Sequence, residues 1–196
     1  MFRRTPTETD TASLIARFAR GDRQALDLLY RAEAAPVYRF ALAMCGNEAW
    51  SADATQDAFV QLAEQPRAYD VNKGPLRAWL CGIARHKLLA RWREAQGHWF
   101  HEDEADEEVV DDGTPSPESV LVQAQDTQTL WAAIRALPWA FREAIVLVDL
   151  QERPYAEAAQ VAGVELNTLR TRLHRGRRRL AQALAPQPQT AEVLHE

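Results

Sequence analysis

Apolar residues recur three and four positions apart along almost the whole chain, and no window alternates apolar with polar residues around β-branched side chains. The first pattern lines one side of an α-helix, and the second would line one side of a strand. A chain that carries only the first must bury helix against helix, so the expected fold class is all-α. Hydrophobic residues make up 46% of the 196 residues and charged residues 26%, a globular composition with room for two domains.

The periodicity and its punctuation predict the elements. A short helix runs over about 12–20 and stops at Gly21-Asp22. A longer one runs from Arg23 to Cys45, kinked or interrupted by Pro36, and ends at Gly46-Asn47. Ser51 is the expected N-cap of a helix that reaches Glu64 and is closed by Pro66. After the polar loop Arg67–Gly74, a helix opens on Pro75 and reaches Gln96, with Leu76, Trp79, Leu80, Ile83, Leu88 and Trp92 as its apolar stripe. Helix resumes near Pro117 and runs to Ala136. Further helices cover Trp139–Asp149, Pro154–Ala162 and Leu166–Ala185, with a tight turn at Gly163.

The net charge of −5 would argue against a polyanionic partner, but the charge is unevenly placed. Residues 1–96 sum to +3, residues 97–129 to −10 and residues 130–196 to +2. Two mildly basic blocks separated by an acidic one are a signature of polyanion binding. The expected layout is a helical domain over 1–96, an acidic flexible linker over 97–117, a second helical domain over 118–185 and a flexible tail over 186–196.

Other chemistry finds little support. His98 and His101, followed by Glu102, Asp103 and Glu104, have ligand-competent spacing, but an acidic tether lacks the supporting groups that fix ligands. That run is read as a solvated tether or a DNA mimic. Cys45 and Cys81 are too few for a disulfide framework and too far apart for a zinc motif, so both are expected as reduced, largely buried thiols. No phosphate loop, nucleophile elbow or HExxH pattern occurs, so no enzymatic activity, cofactor or metal is expected. The N-terminus lacks the apolar core of a secretory signal and no run of about 18 apolar residues exists, so the expected location is cytoplasmic, with no membrane insertion.

The sharpest pattern lies over Tyr155–Leu184. A short Ala-rich helix, a Gly turn and an Arg-laden helix match the helix-turn-helix plan. On a helical wheel Leu166, Leu169, Leu173, Gly176 and Leu180 share the buried side. Asn167, Thr171, Arg175 and Arg178 fall opposite, flanked by Thr168, Arg170, His174 and Arg179. Six Arg and no acid lie between Leu166 and Ala191. Such a face suits a DNA major groove, where Arg reads base edges and neutralises phosphates. A solvated basic helix end is the plainer alternative.

A second cluster spans Tyr69–Arg93. Its loop offers Tyr69, Asn72 and Lys73, and the helix after it Arg85, His86, Lys87 and Arg91 with Trp79 and Trp92 between them. Aromatics interleaved with cations suit an unpaired nucleic-acid strand, although Trp79 and Trp92 serve equally as core.

These segments carry a family resemblance. Ala136–Leu150, Tyr155-Ala156-Glu157-Ala158-Ala159, Gly163-Val164 and Asn167–Leu180 resemble the C-terminal domain of extracytoplasmic-function (group IV) sigma factors. Phe18-Ala19-Arg20-Gly21-Asp22, Leu29-Tyr30, Ala52–Phe59 and Arg77–Arg85 resemble that family's promoter-melting and polymerase-binding domain, in the same order. The resemblance covers roughly residues 12–184. It implies an alternative sigma factor whose partners are core RNA polymerase, promoter DNA and an anti-sigma factor. It places polymerase contacts on Asp53, Gln56, Asp57 and Phe59, capture of a flipped base on Arg67–Gly74, and melted-strand contacts on Trp79–Arg93. The upstream element falls to Arg170, Thr171, His174 and Arg175. The rival from another class is a helix-turn-helix regulator that binds duplex DNA and never meets polymerase.

Overall fold

The structure, a computed structural model, describes residues 8–96 and 127–185. The first stretch forms α1 (Glu8–Ala19), α2 (Arg23–Cys45), α3 (Glu48–Glu64) and α4 (Leu76–Gln96). The second forms α5 (Thr127–Ala136), α6 (Trp139–Ile145), α7 (Tyr155–Ala162) and α8 (Leu166–Leu184). The described residues contain no strand. The expected linker, its two histidines and the tail lie outside the described residues.

Capping chemistry sets the ends of the N-terminal helices. Asp22 accepts from the Gln24 amide at 3.0 Å and starts α2, while Arg17 forks onto its other oxygen at 2.9 and 2.7 Å. The Arg17 hydrogen bond, supported by the backbone donors, holds the Asp22 carboxyl below its ordinary pKa. Helix α2 ends at Gly46, whose φ of +65° lets its amide reach back to the Leu42 carbonyl at 2.8 Å.

Two expectations fail here. Helix α2 is unbroken through Pro36, because Ala25, Leu29 and Glu33 before it and Val37, Phe40, Ala41 and Met44 after it are all buried. Burial along that whole length outweighs one missing hydrogen bond. The N-cap of α3 is Asn47, whose side chain accepts from the Trp50 amide at 2.9 Å. Ser51 is buried one turn inside the helix and donates to the Asn47 carbonyl at 2.6 Å.

Helix α4 is the spine of the molecule. Arg77 pairs with the buried Glu33 at 2.6 Å and pins α4 to α2. Leu76, Ala78, Leu80, Cys81, Ile83, Ala84, Leu88 and Leu89 are all buried, a wider belt than one stripe, because α4 is covered from two sides. Helices α2 and α3 pack on it from one side and α7 from the other. Trp79 and Trp92 join the rim of that core. Helix α7 offers Ala158, Ala159, Val161 and Ala162 as buried residues, and short side chains let two helices approach closely.

In the second stretch, α6 continues into a π-helical turn over Val146–Leu150 in place of plain α-helix to Asp149. The Gly163 turn, at φ +68°, separates α7 from α8. Leu169, Leu173, Gly176 and Leu180 are buried as the wheel places them, with Leu166 only partly covered. Gly176 lies flush against α6: a Cβ there would stand 3.1 Å from the Phe141 carbonyl oxygen and 3.2 Å from Ile145 Cδ1.

Candidate nucleic-acid interface

Helix α8 presents a polar face away from its leucines. Asn167, Thr168, Arg170, Thr171, His174 and Arg179 are exposed. Asn167 organises the first turn: its Oδ1 accepts from Arg170 Nη1 at 3.4 Å, and its carbonyl accepts from Thr171 Oγ1 at 3.0 Å. The Arg170 guanidinium also lies 6.0 Å from the ring centre of Tyr155, at the start of α7. Arg170 thus has two weak neighbours, Asn167 and the Tyr155 ring, and stays open to solvent.

Other arginines of α8 have different duties. Arg177 forks onto Asp149 at 2.6 and 3.1 Å and ties α8 to the π-helical turn. Arg179 lies over the Phe141 ring at 4.8 Å. Arg175 and Arg178, placed farthest from the core by the wheel, are half-buried, and Arg178 Nε is out of solvent contact. A long Arg stem folds along apolar surface when it can, which the angle of its Cα on a wheel does not reveal.

The first stretch distributes its candidates over three faces. Asn72, Lys73, His86 and Lys87 are exposed. Tyr69 is buried, its ring 5.9 Å from Trp79 and its hydroxyl donating to the Gly74 carbonyl at 3.0 Å. It shapes the loop from within and is not displayed as a stacking platform. Arg85 is buried as well, with Nε 2.6 Å from Glu143 Oε1 of α6. Arg91 and Lys87 turn toward α3, where they meet Asp53 at 2.9 Å and Asp57 at 3.2 Å. The candidate polymerase-binding acids are thus ion-paired to candidate DNA-binding cations, at an exposure where such pairs are weak and exchangeable.

On α3, Asp53 and Gln56 are exposed and Phe59 is buried. Phe59 meets Tyr30 of α2 edge to face at 4.8 Å, and it is Tyr30, 49% exposed, that faces solvent. Val60 beside it is exposed too. Sequence reasoning missed Tyr30 as a surface residue, since only the packing shows that α2 turns it outward.

It also missed Arg142 and Glu143. Arg142 donates to the carbonyls of Met44 at 2.6 Å, Arg135 at 2.6 Å and Leu137 at 2.9 Å, while burial pulls its pKa down. A charged dipeptide inside the apolar run Trp139–Leu150 was the available signal, because such groups are buried only with partners. No cluster of His, Cys, Asp and Glu among the described residues could hold a metal. No helix among them is long and apolar enough to cross a membrane.

Comparison with known proteins matches both stretches. The family model for Sigma-70 region 2 covers residues 29–98, and that for Sigma-70, region 4 covers residues 127–180. The ECF RNA polymerase sigma factor SigE of Mycolicibacterium smegmatis is 33% identical over 170 residues, 85% of this chain and 65% of that protein. The chain thus spans just under two thirds of that relative's length. The ECF RNA polymerase sigma factor SigW of Bacillus subtilis is 26% identical over 87% of this chain and 94% of its own. Among solved structures, CnrH in complex with the cytosolic domain of CnrY superposes with a TM-score of 0.62 at 25% identity, covering 88% of this chain and 95% of that one.

Proposed function

We propose that this chain, which belongs to the extracytoplasmic-function group of the sigma-70 family, acts as an alternative sigma factor. It binds core RNA polymerase, directs it to specific promoters and helps hold the melted strand. The observation that carries this reading is the coincidence of each family match with one built unit: residues 29–98 with the α2–α4 bundle, residues 127–180 with the helix-turn-helix. A duplex-binding regulator would need the second unit alone.

The division of labour follows from the surfaces. Asp53 and Gln56 on α3, with Tyr30 and Val60 exposed nearby in the bundle, supply a polar and apolar docking face for polymerase. The exposed donors of α8, Arg170 among them, meet the upstream promoter element in its major groove. Lys73, Asn72, His86 and Lys87 supply cations and donors for an unpaired strand. The protein does no covalent chemistry and works in the cytoplasm, where core polymerase is found. An anti-sigma partner restrains it, in keeping with CnrH, which is seen with a CnrY domain bound. The domain layout of 1–96, 97–117, 118–185 and 186–196 belongs to this proposal.

Reconstitution tests it. The purified chain mixed with core polymerase is expected to co-elute and to give promoter-dependent run-off transcripts from a genomic fragment library. Duplex binding without polymerase binding would instead establish the regulator.

A further inference from the structure

A cleft of about 820 Å³ lies where α2 faces α5 and the π-helical turn. That volume falls within the range of small-molecule sites. Arg39 and Ala43, one turn apart, line it from α2, and Trp131 and Arg135, also one turn apart, line it from α5. Leu42 and Leu150 add apolar wall.

The charge of this lining is opposite to that of the chain. Four arginines, at 39, 77, 135 and 153, face two glutamates, at 152 and 157, for a net of +2 in a protein of net −5. Two of the arginines are already engaged. Arg153 is buried and bonded to Gln151, Glu157 and Cys81, and Arg77 pairs with Glu33. Arg39 and Arg135 are exposed, and among the described residues neither guanidinium has an ion-pair or hydrogen-bond partner. Arg135 is steered by bare backbone: its Cδ passes 2.7 Å from where a Cβ on Gly46 would stand. A methyl group at that position would displace the arginine stem.

The backbone of the opposite wall is irregular in two places. Val146–Leu150 winds as a π-helix, and Glu152, at φ +52°, is the one non-glycine residue with positive φ among the described residues. Such conformations are uncommon and gather at binding sites. Leu150 and Glu152 both line the cleft, so the two irregularities shape the same wall.

We infer that the cleft binds a small, flat organic dianion, its ring against Trp131 and its charged groups on Arg39 and Arg135. A guanidinium fork matches the paired oxygens of a carboxylate or phosphate, and an indole face takes an aromatic ring. A nucleoside diphosphate and an aromatic dicarboxylate share this chemistry. A bare inorganic ion lacks the apolar part and would leave Trp131 and the leucines facing water. None of Arg39, Trp131 and Arg135 is assigned above to DNA or polymerase, so binding is read without either partner.

Isothermal titration of the full chain with ADP and with terephthalate tests the site, with inorganic phosphate and adenosine as the separated parts. At least one of the two dianions is expected to bind, one per chain, and the one that binds names the source. Arg39→Ala and Arg135→Ala are each expected to weaken it about tenfold, the usual size of one charge-assisted contact. Arg23→Ala, at an exposed cation at the start of α2, is expected to leave it unchanged. Both cleft variants remove exposed side chains and should melt as wild type does. Should either unfold, Trp131 of the wild-type chain gives the readout. Its indole N–H resonance, identified by its loss in Trp131→Phe, is expected to shift as the dianion saturates. Binding of neither dianion, equal binding of phosphate or adenosine alone, undiminished affinity in a folded Arg39→Ala/Arg135→Ala chain, or an unmoved Trp131 signal would each overturn the site.

Discussion

Arg177 grips Asp149 with two nitrogens, at 2.6 and 3.1 Å, across 28 residues of sequence. The pair is largely shielded, with side chains 25% and 17% exposed, so this cation of the basic helix is structural. Arg177→Ala is expected to cost about 1.5–3 kcal/mol, the range for hydrogen bonds to charged groups, and to lower the melting temperature. Calorimetry checks it.

Arg170 is expected to behave in the opposite way. It is exposed, with Asn167 and the Tyr155 ring as its neighbours. Arg170→Ala should leave the melting temperature unchanged and weaken binding to the preferred duplex by about 1–3 kcal/mol. Equal affinity of mutant and wild type for that duplex would remove Arg170 from the reading face.

Tyr69 and Lys73 separate folding from strand binding. Tyr69→Ala empties a buried aromatic site against Trp79 and is expected to cost about 3 kcal/mol of stability. Tyr69→Phe keeps the ring and loses the hydroxyl bond to Gly74, and should cost about 1 kcal/mol. Lys73→Ala, at an exposed side chain, should melt normally and impair promoter opening. Permanganate footprinting of the open complex measures the last effect.

Burial pushes the Cys81 thiol up to about 11, against the opposing pull of Arg153. At pH 8 only about one molecule in a thousand then carries the thiolate. Iodoacetamide is expected to modify the partly exposed Cys45 first and Cys81 only after unfolding. The sign for stability follows: the folded pKa lies above the unfolded value near 9, so the contribution is complete below pH 9 and is lost as pH rises toward 11. The melting temperature of wild type should fall more steeply over that window than that of Cys81→Ala.

Cleavage offers a view of the interface. Pro, Gly, Ser and acids dominate residues 97–117, and a protease is expected to cut there first. The two fragments should then co-elute on size exclusion, held by the contacts on α4. Glu143→Gln, which removes the charge facing Arg85, should weaken that association. A first cut inside either helical block would contradict the division at 97–117.

The legible part of this molecule was its helical skeleton. Leucines at spacings of three and four located α8 and its buried side, and Gly46 and Gly163 marked turns whose left-handed backbone they permit. Local signals failed where two residues were equally competent. Asn47 and Ser51 are both capping types, and only the fold shows that the helix starts four residues early. Pro36 reads as a break until burial on both sides of it is known.

The candidate site was less legible because side-chain destinations depend on distant partners. Arg85, Lys87 and Arg91 look alike along α4. Their partners Glu143, Asp57 and Asp53 stand on two other helices, and they send one cation inward and two toward α3. Cation count and spacing predicted a charged belt but not which members of it face water.

The contact at Gly176 has a consequence for how such a protein can change over time. With no side chain of its own at that point, α8 lies close enough to the Phe141 carbonyl and the Ile145 side chain of α6 that any larger residue would push the two helices apart. Residues on the outward face can then be exchanged one at a time without re-aiming the helix. Under the proposed function, promoter preference is then free to drift in small steps while the packing beneath α8 is kept.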